Sequence, residues 1–307
     1  MLRPRALPTG ATAGIAMMLL GILLFAINDT LGKWLVGAYT VGQLLFVRSI
    51  AGLCAMAPFI AKAGRRTFRQ APRPGLQLLR VIFSTLETSL FFWAVAELPL
   101  AEVMAYYMAG PIYVTALSPF LLGERVGWRR WTAVAVGFLG VVVALHPSPD
   151  TISLGTVCAL TGSFSYAMFL VATRKLAGTP ATVLITGQLL AALLFGGVLV
   201  LSQGWTAPGT LDLLLMLLLG IGSLAGNLCV NQSLRIAPAS VVVPFQYTLI
   251  LWGMIFGYLF FGEVVGLLTM IGAGIIVGAG LFIFLRERQL RGRDPDHGKS
   301  VSSGRGR

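Results

Sequence analysis

The 307-residue sequence predicts an all-α polytopic membrane protein with ten transmembrane helices in two inverted five-helix repeats. Composition is the first ground: 56% of the residues are hydrophobic and 11% charged, with a mean hydropathy of +0.84, whereas soluble domains carry about 25% charged residues. Run length is the second. The apolar stretches are long and continuous, matching the roughly 20 residues a helix needs to cross the hydrocarbon core, not the short alternating strands of about ten residues in an outer-membrane barrel. The third is a repeat: Pro99 to Gly127 recurs without a gap 139 positions later as Pro238 to Gly266. Pro99 matches Pro238, Val103 matches Val242, Gly123-Glu124 matches Gly262-Glu263, and Val126-Gly127 matches Val265-Gly266.

The first span, 12–36, follows Arg3 and Arg5. Its apolar run from Ala11 to Leu31 exceeds the 7–15 residues or so of a signal-peptide h-region. Ala26-Ile27-Asn28 does not make a convincing small-residue cleavage site, so the span is expected to be retained. Span two, 41–61, carries Arg48, and span three, 77–97, carries Arg80 and Glu87. Span four, 100–121, is interrupted at Gly110-Pro111, where proline removes a helical hydrogen bond; span five is 130–146. The second set is 152–174, 181–202, 209–233, 239–261 and 265–285. Five is odd, so the second set enters the bilayer upside down, as in the inverted repeats of secondary transporters. The units are therefore 1–146 and 147–285, followed by 286–307, a polar, basic tail without apolar periodicity that is expected to be disordered.

The net charge of +12 raises the question of nucleic acid, but its distribution speaks for orientation in a lipid bilayer. With the N-terminus inside, 20 of the 23 basic residues fall on inner segments, and the others, Lys33, Arg48 and Arg80, lie within spans. That is the positive-inside rule, and it predicts N-in and C-in. Cys54, Cys158 and Cys229 are dispersed through the spans, which suits neither a disulfide framework nor a metal site. An intramembrane enzyme is the distant alternative: there are only two histidines, His146 and His297, no His-Glu-x-x-His pair, no Gly-x-Ser-x-Gly elbow, and no Walker A loop or other cofactor motif.

The run Leu98-Pro99-Leu100-Ala101, through Gly110-Pro111, to Leu121-Leu122-Gly123-Glu124, then Arg129-Arg130-Trp131 and Gly137-Phe138-Leu139-Gly140, with its second copy from Ala237-Pro238 to Phe261-Gly262-Glu263 and Gly272, Gly274 and Gly278 after it, resembles the drug/metabolite transporter superfamily, specifically its EamA-type members. The resemblance spans nearly the whole chain. It implies secondary active transport of a small organic metabolite; Arg48 and Glu87 facing neutral polar residues of the second half point to a polar cargo, amino-acid-like or a carboxylate, and the bias toward Arg over Lys to a bacterial inner membrane. Because the family holds many exporters, it favours export; the alternative it leaves is import of a vitamin or nucleoside-like metabolite of the riboflavin or S-adenosylmethionine type. Glycines on spans five and ten permit a homodimer without requiring one.

An ionised side chain at mid-bilayer costs about 2.5–3.5 kcal/mol on insertion scales, so each needs a partner or a wet cavity. Asp29 and Lys33 share a face of span one; Arg48, Arg80 and Glu87 follow. One reading is an internal charge network, Asp29 with Lys33 or Arg48 and Glu87 with Arg80 or Arg48. The other gives Arg48 a cargo carboxylate or phosphate to hold with its planar fork. In that reading Glu87, where desolvation disfavours the charged form, is a candidate for reversible protonation and proton coupling. Tyr106 and Tyr107 before Gly110-Pro111, and Gln246 and Tyr247 after Pro244, are expected at the edges of a central cavity, with Gln246 replacing Tyr107 in the second copy. Gln188, near the place Arg48 has in the first half, and Asn227, together with Ser163, Ser165, Tyr166, Asn231 and Gln232, are expected to form a neutral wall. Gly222/Gly226, Gly253/Gly257 and Gly274/Gly278 fit close helix packing.

Overall fold

Two of the ten predicted spans are broken, which turns ten apolar runs into twelve α-helices among the described residues of the computed structural model. It describes residues 11–123, 126–145, 153–176, 178–237 and 239–291. The first set comprises α1 (Ala11–Val36), α2 (Val41–Arg69), α3 (Pro74–Glu97), the pair α4 (Leu100–Tyr107) and α5 (Gly110–Leu121), and α6 (Trp128–Leu145). The second comprises α7 (Leu154–Lys175), α8 (Ala181–Gln203) and α9 (Thr210–Ile236), then α10 (Ala239–Val242), a 3-10 turn (Val243–Tyr247) and α11 (Thr248–Phe261), and last α12 (Leu267–Arg291). Among the described residues eight helices are long and apolar enough to cross a membrane; the two broken spans complete the ten. Thr40 caps α2 and Ser153 caps α7, each hydroxyl accepting a backbone N–H at 3.2 Å.

Proline accounts for both breaks. Pro111 cannot donate to the Tyr107 carbonyl and its ring crowds it, so α4 ends there and α5 restarts at Gly110. In the second copy the break centres on Pro244, and the chain passes through the 3-10 turn before α11. Two boundaries differ from the sequence reading. Past 61, α2 continues to Arg69 by bending at Gly64, whose φ of 72° only glycine adopts without strain. The last helix runs on to Arg291, so 286–291 are helical and not part of an unstructured tail. Glu124, Arg125, Pro238, His146, residues 1–10 and the remaining tail 292–307 lie outside the described residues.

Packing follows a two-fold pattern. The first span packs on the eighth (α1 on α9) and the third on the sixth (α3 on α7), while the second packs on the seventh (α2 on α8), the fifth on the tenth (α6 on α12) and the fourth on the ninth (α4 on α11). A two-fold operator exchanging the halves maps the first two contacts onto each other and each of the other three onto itself. Every pair is antiparallel: Gly14 meets Ala237 while Asn28 donates to the Leu219 carbonyl, and Gly42 meets Leu199 while Gly52 meets Leu189. Spans one and three run the same way, as do six and eight, so the antiparallel pairing of one with eight inverts the second set.

Small residues let these backbones approach. A Cβ at Gly272 of α12 would stand 2.6 Å from the Gly140 carbonyl oxygen of α6. Without a hydrophobic drive between helices in lipid, such contact and polar cross-links hold the bundle. Gly222 and Gly226 lie against Asn28 and Phe25, and Gly253 against Met104, while Gly257 makes room for Glu263. By contrast, Gly274 and Gly278 face open space, so they do not serve close packing within the chain. The span-five glycines are consumed internally, Gly137 against Ile112 and Gly140 against Ile275, which removes α6 from the ground for a homodimer. Apolar side chains such as Leu194, Val198 and Leu201 of α8 point outward, as a lipid-facing surface requires.

The two ends of the bundle differ in charge. Arg65, Arg66, Arg69, Arg73, Arg129, Arg130, Arg174, Lys175 and Arg235 gather at one end, by the close of α2, α7 and α9 and the start of α6. Glu97, Asp212 and Glu263 lie at the other.

Candidate functional site

Asp29 sits seven residues before the end of α1 and Arg48 seven after the start of α2, so both lie about 10 Å below the acidic end at 1.5 Å per residue. Glu87 is ten residues before the end of α3, about 15 Å down and near mid-depth. The three groups, each half-buried, interact electrostatically across the junction of α1, α2 and α3. Among the described residues no carboxylate makes a direct ion pair with Arg48. Its guanidinium instead lies over Phe92, 5.4 Å from the ring centroid, and that ring fits because residue 32 is glycine. A cation on an aromatic face keeps its donors free for a ligand.

Glu87 is steadied from two directions. The Thr88 hydroxyl lies 2.9 Å from its Oε2, and the Tyr107 hydroxyl donates to its backbone carbonyl at 3.0 Å. Gly162 of α7 leaves room for that Tyr107 hydroxyl. The Tyr107 ring meets Phe91 edge-on at 5.3 Å and Tyr166 of α7 at 6.2 Å. The site is thus two acids and one arginine from α1, α2 and α3, walled by Phe92, Tyr107 and, from the second half, Tyr166.

Several expected members go elsewhere. Lys33 does not pair with Asp29; it pairs with Glu263 and donates to the Leu98 carbonyl, because it lies at the helix end where a long stem reaches the acidic boundary. Nor does Arg80 pair with Glu87. Seven residues on a helix span about 10 Å, too far for contact. Arg80 turns to α7 and α8 instead, with Thr173, the Leu184 carbonyl and Gln188 as acceptors. Tyr106 points into the packed core, fully buried, with its hydroxyl on Glu102 of its own helix at 3.1 Å.

The neutral wall is smaller than expected. Ser163, Ser165 and Asn227 each donate to a carbonyl of their own helix, three or four residues back, and Asn227, Asn231 and Gln232 are exposed. Gln188 serves Arg80. Gln246 is half-buried in the 3-10 turn, and the Tyr247 hydroxyl packs against Gly280 of α12, not toward Asp29 and Glu87. Phe91, Phe92, Thr88 and Phe169 matter to these charges, yet nothing in an apolar run marks one phenylalanine from another.

The sequence profile of the EamA-like transporter family matches residues 12–145 and 153–285, one match per set of five spans. The chain is 28% identical over 291 residues to a riboflavin transporter of Rhizobium johnstonii, covering 94% of this chain and 96% of that protein. It is 25% identical over 285 residues to an S-adenosylmethionine uptake transporter of Rickettsia prowazekii, covering 90% and 94% respectively. One solved crystal structure superposes with a TM-score of 0.63 at 19% identity over 91% of this chain and 99% of its own, which speaks to the fold alone.

Proposed function

Since the chain belongs to the EamA-like transporter family, and so is a membrane transporter and not an enzyme, we propose that it takes up a small organic metabolite bearing a planar ring and charges of both signs, by alternating access. The observation that carries this is Arg48 set among Asp29, Glu87 and the rings of Phe92, Tyr107 and Tyr166. A cargo carboxylate suits the arginine fork, a cationic group suits the two acids, and a ring suits the aromatic wall. An amino-acid-bearing nucleoside of the S-adenosylmethionine type presents all three.

Riboflavin is the second reading, favoured by the name of the Rhizobium relative. Its ring would suit the aromatics, but a neutral cargo offers no carboxylate to the Arg48 fork and no cation to the acid in excess of it, and unmatched charge in a membrane site is costly. The direction of our reading follows the relatives: the Rickettsia protein is named for uptake, whereas the export that the family resemblance favours draws no support from these names. The gathering of arginines at one end supports placing that end in the cytoplasm of a bacterial inner membrane, with N-terminus and C-terminus inside. The exchange of halves by a two-fold operator supports rocking of one set of five against the other, with Glu87 as the proton-coupling group.

Uptake into proteoliposomes tests the reading. Labelled S-adenosylmethionine is expected to accumulate faster than riboflavin, and Arg48→Ala is expected to abolish the difference. Equal uptake of both by wild type, insensitive to Arg48, would sink the charged-site reading.

A further inference from the structure

We propose that Arg80 forms a second anion subsite, nearer the basic end than the Arg48 site, that receives the carboxylate of the cargo as it leaves the centre; this rests on the reading of a planar, carboxylate-bearing cargo. Arg80 is 5% exposed, the least solvent-exposed charged residue among the described residues. Its Nε donates to Thr173 Oγ1 at 2.8 Å, Nη1 to the Leu184 carbonyl at 3.0 Å, and Nη2 to Gln188 Oε1 at 3.4 Å. All three acceptors are neutral. No carboxylate among the described residues contacts it, so its charge is met only by neutral acceptors and the face of Phe169.

A clamp joining α3, α7 and α8 does not need a charge. A neutral amide, with two N–H donors, could serve two of these three acceptors without the several kcal/mol that burying an unbalanced ion costs. Guanidinium has five N–H donors, three of which are engaged here, so two remain for an anion.

The repeat gives the position its meaning. Arg48 plus the 139-residue offset is Gly187, the neighbour of Gln188. Inversion therefore creates two related places at opposite depths, one holding Arg48 and the other Gln188. In the second, α3 supplies the cation that α8 lacks, by laying Arg80 beside Gln188.

Aromatic rings join the two places. Phe92, under Arg48, meets Phe91 at 5.6 Å, and Phe91 meets Tyr107. Tyr166 continues from Tyr107 to Phe169 at 6.3 Å, and Arg80 lies 4.7 Å over the Phe169 ring. An arginine closes each end of a continuous aromatic series that passes Glu87 midway. Tyr166 and Phe169 are the half-buried rings of this series, and a planar cargo can lie against them while its carboxylate is transferred from one guanidinium to the other.

The test uses purified full-length protein in detergent, titrated with sodium acetate against sodium chloride at equal ionic strength. Arg48→Gln is expected to keep an acetate-specific rise in melting temperature, and Arg48→Gln/Arg80→Gln to lose it. Equal acetate shifts in the two variants, or no shift in Arg48→Gln, overturn the proposal. Should the double variant not fold, Arg48→Gln/Arg80→Lys keeps the charge without the fork, and its half-saturating acetate concentration is expected to rise about tenfold; an unchanged value overturns the proposal. A parallel S-adenosylmethionine exchange assay on wild type judges the cargo reading separately, since its failure leaves the acetate result standing.

Discussion

The Lys33 ammonium of α1 is held between the Glu263 carboxylate, with which it forms an ion pair, and the Leu98 carbonyl, to which it donates at 2.6 Å. Glu263 follows α11, and its other oxygen accepts the Leu100 N–H at 2.8 Å, satisfying one of the orphan donors that open α4. One carboxylate thus ties the first, fourth and ninth spans together at the acidic end. The repeat supplies no second such lysine, because the position equivalent to Lys33 is Ala172.

Both side chains of this pair are largely buried, at 11% and 16% exposure, so removing one partner strands the other. Lys33→Ala is expected to destabilise the protein by about 3–5 kcal/mol, whereas Lys33→Met/Glu263→Gln is expected to lie closer to wild type, because it removes both charges together and keeps an amide oxygen for the Leu100 N–H. Unfolding in mixed detergent micelles gives both values. A single variant no less stable than the double would show that the pair is not what holds this end.

How much of this was legible beforehand depends on whether a residue acts along the chain or across it. The inverted repeat was legible because Gly262-Glu263 and its first copy mark equivalent chain positions. The partner of Glu263 was not, since pairing with Lys33 needs the packing of the first span near the ninth. For Arg80, shared helical face suggested Glu87, but acceptors on α7 and α8 decide its direction. Asn227 shows the opposite error. Polarity alone suggested a cavity, while the side chain bonds its own helix at the Ser223 carbonyl. That Arg48, Glu87 and Tyr107 lie near one another was open to expectation, because a charged or phenolic group inside an apolar run needs polar company.

Gly272 and Gly278 make a controlled pair on α12. A methyl at 272 would meet the Gly140 carbonyl at 2.6 Å, and one at 278 would meet open space. Gly272→Ala is expected to lower stability by about 1–3 kcal/mol through forced separation of α6 and α12, and Gly278→Ala to stay within about 0.5 kcal/mol of wild type. Melting temperatures in one detergent settle it; equal losses at both sites would mean that the crossing is not close-packed at Gly272.

Tyr39, in the turn between α1 and α2, donates its hydroxyl to Asp212 at 2.6 Å. That hydrogen bond raises the phenol above its ordinary value of 10.0, with burial adding to the effect. A raised value means the folded state favours the protonated phenol. The stabilisation is therefore complete below pH 10.0 and is lost as pH climbs through the folded value. Wild type is expected to melt higher than Tyr39→Phe at pH 8, with the gap closing above pH 10.0. A gap that persists unchanged at high pH removes the bond as its source.

Arg48 is expected to need its shape as well as its charge. Arg48→Lys retains the cation but gives up the bidentate fork and the broad contact over Phe92. Uptake of S-adenosylmethionine by Arg48→Lys should fall by about tenfold or more in kcat/KM, with Arg48→Ala lower still. Equal rates for lysine and arginine would reduce the role to that of a simple positive field.

Glu87 carries the coupling proposal because it is an acid at mid-depth, held by Thr88 and Tyr107 through contacts that leave one carboxylate oxygen without a protein hydrogen bond among the described residues. Asp29 is the other acid facing Arg48, so both must be varied. If Glu87 takes up and releases the proton, Glu87→Gln fixes the neutral form, and uptake should lose its dependence on an imposed pH gradient while substrate exchange at equal pH continues. Asp29→Asn should keep the gradient response, because its shallower position places it beside the Arg48 cation and not at the point both sides must share. Loss of the response in Asp29→Asn with its retention in Glu87→Gln would transfer the coupling role to α1.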